Sequence, residues 1–168
     1  GNQFLRAGQP WNPVGVNYWP HYIAGMDAQD FGAGWLRTGY YDPELVEGDL
    51  VRMAKLGVNL VSIQAPELPY HRNLLDFIER CRRHDVLVNL YCGWASPLAF
   101  RERELREYLT TARLPDNPTL IAYDTIWEPG NYVFQGDRRA GWDEAWRDWV
   151  VEQYGSIAAA EADWVFTG

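Results

Sequence analysis

"YDPELVEGDLVRMAKLGVNLVSIQAP", residues 41–66, holds one helix and one strand joined across a glycine, and its reading decides the fold. Asp42 is a good N-cap, Pro43 suits the first helical position, and Gly57 closes the C-terminus. Leu45, Val46, Leu50, Met53, Ala54 and Leu56 recur at roughly helical spacing. "VNLVSIQAP" then runs nearly unbroken in apolar residues up to Gln64, as strands of parallel sheets do.

The same pair recurs on both sides. Upstream, "WNPVGVNYWP" (11–20) is a short apolar strand ending in polar and aromatic residues. Downstream, "HRNLLDFIERCRRH" (71–84) places Leu74, Leu75, Ile78 and Cys81 on one helical face, and "VLVNLYCGW" (86–94) is a third buried strand. A helix is predicted over 98–112, and "PTLIAYDTIWEP" (118–129) is a fourth strand. "WDEAWRDWVVEQYG" (142–155) spaces Trp142, Ala145, Trp146, Trp149 and Val150 as an amphipathic helix, and a shorter helix runs through 156–164. Apolar strands alternating with helices predict an α/β fold with a parallel sheet and helices outside it. Four βα units are half of an eight-stranded barrel, which takes about 250 residues. The expectation is one domain over 1–168, the N-terminal half of a (β/α)8 barrel. The stop at "EADWVFTG" fits a half better than a whole. A missing half or a second copy would then close the sheet; the remaining alternative is an open sheet with helices on both faces.

Composition narrows the function. With 47% hydrophobic and 23% charged residues the 168-residue chain reads as an ordinary globular one. Nine Trp, ten Tyr and six Phe exceed what one small core holds, so cleft-lining aromatics are expected, and sugar faces are their common guests. The net charge of −8 argues against nucleic acid and anionic membrane surfaces. Cys81, Cys92, His21, His71 and His84 have no metal-ligand spacing, so neither metal nor cofactor is expected. The sequence has no run of membrane-spanning length and no signal-peptide pattern, and the compartment stays open.

Polar and aromatic residues gather where the strands end: Asn17, Tyr18 and Trp19; Gln64; Tyr91 and Trp94; Trp127 and Glu128. That end is where α/β sheets and barrels bind ligands. Two longer excursions, 20–41 and 129–141, leave from it.

These residues carry a resemblance. "VGVNYWP" (14–20) resembles the first strand of clan A glycoside hydrolases, and "DLVRMAKLGVNLVSI" (49–63) their next helix and strand. "IAYDTIWEPGN" (121–131) resembles their fourth strand, which ends in Asn-Glu-Pro with the Glu as general acid/base. "AWRDWVVEQYGSIAAAEADW" (145–164) is similar to a helix pair of the family 42 β-galactosidases, and family 5 enzymes share the earlier pieces. The resemblance implies a TIM barrel that hydrolyses a β-linked oligo- or polysaccharide with Glu128 as acid/base. Asn17, Tyr18, Trp19, Gln64, Tyr91, Trp94 and Trp127 would line the substrate site. Trp127 stands where the clan has Asn, Gln64 where it often has Arg, and the nucleophile Glu of the seventh strand has no counterpart here. A sugar-binding barrel without hydrolysis is the alternative. Asp124 is expected to serve structure: on a regular strand its Cα lies about 13 Å from that of Glu128, too far for a catalytic pair.

Overall fold

The computed structural model describes residues 3–25, 32–93, 100–126 and 137–164. A hairpin comes first, β1 (Leu5–Arg6) and β2 (Gln9–Pro10), and then the alternation begins. Its members are β3 (Gly15–Asn17), α1 (Pro43–Lys55), β4 (Leu60–Gln64), α2 (His71–Arg83), β5 (Leu87–Tyr91), α3 (Glu102–Thr111) and β6 (Leu120–Asp124). Two further helices follow, α4 (Asp137–Tyr154) and α5 (Ile157–Trp164). The chain forms two compact units, Gly1–Trp127 and Glu128–Gly168.

In the first unit β3, β4, β5 and β6 form one parallel sheet in chain order. The fold is α/β, a four-stranded parallel sheet flanked by helices. Crossovers of one hand in a sheet ordered this way put every helix on the same side. Burial agrees. Val61, Ile63, Val88 and Leu90 point one way and share a buried cluster with Leu50 of α1, Phe77 of α2 and Tyr108 of α3. Their alternates Leu60, Ser62, Gln64, Asn89 and Tyr91 point the other way and are only half-buried.

Local chemistry sets these elements. The Asp42 carboxylate accepts from the amides of Glu44 and Leu45 at 3.0 Å each, so α1 starts where the sequence predicts. α3 begins only at Glu102, later than predicted. No side chain caps it there, and Glu102 and Glu104 supply the negative charge that a helix start favours.

The three described α-helices of the first unit end alike. Gly57, Asp85 and Arg113 take left-handed backbone (φ 81°, 58° and 52°). The amides of Val58, Val86 and Leu114 then reach back to the carbonyls of Met53, Cys81 and Leu109 at 3.0, 2.9 and 3.0 Å. This is the Schellman arrangement; it turns α1 and α2 into the next strand within a few residues, while α3 is followed by a longer turn before β6. Only the first of the three uses glycine. Asn59 sets the register at the sheet's start: its carboxamide accepts from Val14 N (2.8 Å) and donates to Asn12 O (2.9 Å).

α1 and α2 are also clamped by charge. Glu47 accepts from Arg80 Nη1 at 2.8 Å, lies 2.6 Å from His84 Nε2, and has Arg83 at 3.3 Å. The His84 contact first, and then the arginines, hold the Glu47 carboxyl below its usual range.

In the second unit α4 packs against α5. The helix forms where it is predicted, but the expected buried apolar face does not: among the described residues of α4 only Val150 and Tyr154 are withdrawn from solvent to any degree. Val150 is buried, while Trp142, Trp146 and Trp149 stay 44%, 54% and 44% exposed. Trp146 stacks on Trp149 (5.1 Å) and Trp164 (6.1 Å), and Trp164 Nε1 donates to the Tyr154 hydroxyl at 2.9 Å.

Replacing Arg113 by Gly relieves left-handed strain of about 1–2 kcal/mol and adds about 0.5–1 kcal/mol of chain entropy, so stability should rise by about 0.5 kcal/mol. The urea midpoint reads this, and a lower midpoint would assign the Arg113 side chain a structural bond. A carboxyl whose folded pKa lies below its unfolded one stabilises above the unfolded value and loses that stabilisation as pH falls through the folded value. Glu47→Gln should therefore flatten the decline in stability below about pH 4.5, seen as urea midpoints measured across that range.

Candidate functional site

Backbone parity sorts the residues at the strand ends. Asn17 pairs with Ser62 and Ser62 with Asn89, which places three polar side chains in a row across β3, β4 and β5. One step towards the C-terminal ends, Gln64, Tyr91 and Asp124 form a second row across β4, β5 and β6. Both rows stand on the face away from the helices. Within the first, Asn89 Nδ2 donates to Ser62 Oγ at 3.1 Å. The carboxamides of Asn17 and Gln64 make no hydrogen bond among the described residues, which leaves donors and acceptors available to a ligand.

Tyr18 belongs elsewhere, and this corrects its place in the predicted substrate site. It follows Asn17, so its side chain turns to the helix side. There it is buried, stacks on Phe77 (centroids 5.6 Å, planes 13° apart), meets Trp35 edge-on at 5.5 Å, and donates to Asp49 Oδ2 at 2.9 Å. Burial, and next the nearby Asp49 carboxylate, push its phenol pKa far up, so it stays neutral. Trp19 is half-buried against the same cluster. The 20–41 excursion thus gives Trp35 and Leu36 to the core, and the Tyr41 hydroxyl donates to Asp76 at 2.7 Å.

Two glycines shape the strand ends. Gly32 has φ 98°, and a Cβ there would collide with the Gln64 carboxamide. A Cβ on Gly93 would collide with the Tyr91 phenol. The loop after β3 is tied to the loop after β4 by Arg37 Nη2 and Glu67 Oε1, 2.6 Å apart, and Arg37 holds the Glu67 carboxyl below its usual range. Asp124 serves structure as expected: Oδ1 accepts from Ile126 N (3.1 Å) and its carbonyl from Cys92 N (2.7 Å). Of the two histidines near these loops, His71 Nδ1 lies 2.7 Å from Leu68 O at the start of α2, and His21 packs edge-on against Tyr22.

Trp94, Trp127 and Glu128 lie outside the described residues. The described part of the site is therefore Asn17, Gln64, Tyr91 and, at its margin, Trp19. Sequence reading missed Ser62 and Asn89, whose signal was the even offset from Gln64 and Tyr91. It also missed the Gly32 seat, which left no signal. Among the described residues no group of His, Cys, Asp and Glu has the makings of a metal site, and no helix is long and apolar enough to cross a membrane.

A hollow of about 810 Å³ opens on the polar face among Gly15, Asn17, Leu60, Ser62, Asn89 and Ala122, with Phe4, Leu5 and Trp11 of the hairpin region at its border. Another of about 710 Å³ lies between α2 and α3 near Arg113 and Thr119, where β6 begins. Ligands of parallel sheets bind at the C-terminal ends of the strands, and neither hollow is lined by Gln64, Tyr91 or Asp124, which stand there. No protein-family profile, curated protein or solved structure matches the chain.

Gly32→Ala should cost about 1–3 kcal/mol through backbone strain and the collision with Gln64. Gly39→Ala, at φ 89° with open space around it, should cost only the strain. Adding Gln64→Ala to Gly32→Ala should recover the difference in a double-mutant cycle; strict additivity would show that the two residues do not touch.

Proposed function

We propose that the four βα units are one half of a (β/α)8 barrel, and that the closed barrel is a retaining glycoside hydrolase of clan A type acting on a β-linked sugar. One observation carries this reading: among the described residues of the first unit the helices lie on one face of the sheet, and the other face bears two polar rows that end at the strand C-termini. A doubly wound sheet needs helices on both faces. A barrel needs this one-sidedness, because its other face is the interior.

In this reading Glu128, four residues beyond Asp124, is the general acid/base. It protonates the departing glycosidic oxygen while a second carboxylate, about 5–5.5 Å away and supplied from outside this chain, attacks the anomeric carbon. Glu128 then takes a proton from the water that releases the sugar. Trp127 and Pro129 flank it in the sequence, and an apolar, aromatic setting is what a proton donor near neutral pH requires. Gln64 and Asn17 bind hydroxyls, and Tyr91, Trp94 and Trp127 offer flat faces to the ring.

Trp127 favours a second reading, a barrel that binds sugar without cleaving it. An indole has one donor and no acceptor, so it does not replace the Asn that grips the 2-hydroxyl.

Aryl β-glycosides of graded leaving-group ability, with indole fluorescence reporting binding, separate the readings in the closed barrel. Glu128→Gln should slow poor leaving groups by about 10²–10⁴-fold and spare binding. Unaltered turnover would remove Glu128 from the acid role. Trp127→Asn should raise turnover. Saccharide binding with no turnover in either form would establish the binding protein, and absence of both would end the sugar reading.

A further inference from the structure

The carboxamide of Gln64 makes no hydrogen bond among the described residues, yet its two ends are placed differently. Its oxygen lies against Gly32, filling the position that a Cβ there would take, while its nitrogen stands 3.2 Å from that position. Gly32 is buried, and only a residue without a Cβ lets the chain come this close. The order of the two ends has a physical reason. An oxygen weakly attracts the Cα hydrogens of Gly32, whereas an NH2 group would press two more hydrogens against them.

The turn that follows Gly32 is fixed at several points, so Gly32 is a firm stop. Leu36 N donates to Ala33 O and Arg37 N to Gly34 O at 3.0 Å each, and Trp35 and Leu36 are fully buried. From α2, Asn73 Nδ2 donates to Leu36 O at 2.7 Å, and Arg37 pairs with Glu67 beyond β4. The side chain held against this stop belongs to the row at the strand C-termini, beside Tyr91 and Asp124.

We propose that Gly32 is a positioning residue that covers the acceptor of Gln64 and leaves it a donor only, so that Gln64 meets an oxygen of the ligand through its Nε2 hydrogens. The side-chain part of this rests on the geometry above. The ligand part rests on the sugar reading, in which that oxygen is a hydroxyl taken by its lone pair. A carboxamide free to turn offers one acceptor group or two donors to whatever arrives. A pinned one accepts a single polarity and has little rotamer freedom left to lose on binding.

Two measurements test the two parts. In the 168-residue chain, 15N relaxation of the Gln64 side chain reads its freedom. It should be as restrained as the strand backbone. Gly32→Ala should shift its NH2 signals, and Gly39→Ala, at another left-handed glycine with open space around it, should leave them in place. In the closed barrel, methyl β-glycosides of glucose, galactose, mannose and xylose are titrated with indole fluorescence as the readout. Gln64→Glu keeps an oxygen at Gly32 and loses the donors; Gln64→Met is uncharged and loses them too. Each should weaken binding by about tenfold or more, with urea midpoints showing that both variants fold. A freely turning Gln64 carboxamide overturns the proposal, as does undiminished binding by Gln64→Met, and the sugar reading survives both. A loss confined to Gln64→Glu would be an effect of charge and also overturns it. No binding of any glycoside by the unaltered barrel overturns the sugar reading, and with it the hydroxyl as the group that Gln64 meets.

Discussion

The stack of Tyr18 on Phe77 is the contact on which the rest of the first unit depends. Phe77 comes from the middle of α2, Tyr18 from the end of β3, and Trp35 from the loop beyond, and all three rings meet edge or face within 5.6 Å. Aromatic pairs of this kind add about 0.5–1.5 kcal/mol each beyond the area they bury. Their larger effect is on direction. With Tyr18 fixed on the helix side, Asn17 faces away, and the sheet register carries that choice to Ser62, Asn89, Gln64 and Tyr91. A slip of one residue in β3 would exchange the two sets, burying an amide and exposing a phenol.

That parity explains what was legible in the sequence and what was not. The alternation of helix and strand was visible because α1 and α2 have strong periodicity and α1 a capped start. Gly57 announced its turn. Asp85 and Arg113, which perform the same turn, did not, since tertiary structure holds them in a conformation their side chains disfavour. Tyr18 was assigned to the ligand site from its position at a strand end, which is a one-dimensional fact; the side it takes depends on Phe77, a residue that had no part in the reading. The 20–41 excursion leaves from the same strand ends, yet Trp35 goes to the core. Loops bearing large apolar rings bury them when a helix face is within reach, and α2 offers one.

The site shows the same division. Gln64 and Tyr91 were found because they end apolar runs. Their settings were not, because the fit of Gly32 over one and Gly93 against the other is a matter of backbone path. Arg37 and Glu67 join two loops that sequence reading treated separately. The polar rows also carry a physical tension. Amides and hydroxyls on a sheet face lower its hydrophobic gain, so stability has to come from the helix side, where the large apolar residues are concentrated.

The three Schellman turns bear on how the molecule assembles. Each joins a helix to the strand that follows it through contacts only a few residues apart in the chain. Because strand order follows chain order, every strand docks beside the one synthesised before it. Contacts this local close at little entropic cost, and topologies rich in them fold fast. Growth of the sheet can thus keep pace with translation at about 5–20 residues per second, one helix–strand pair at a time.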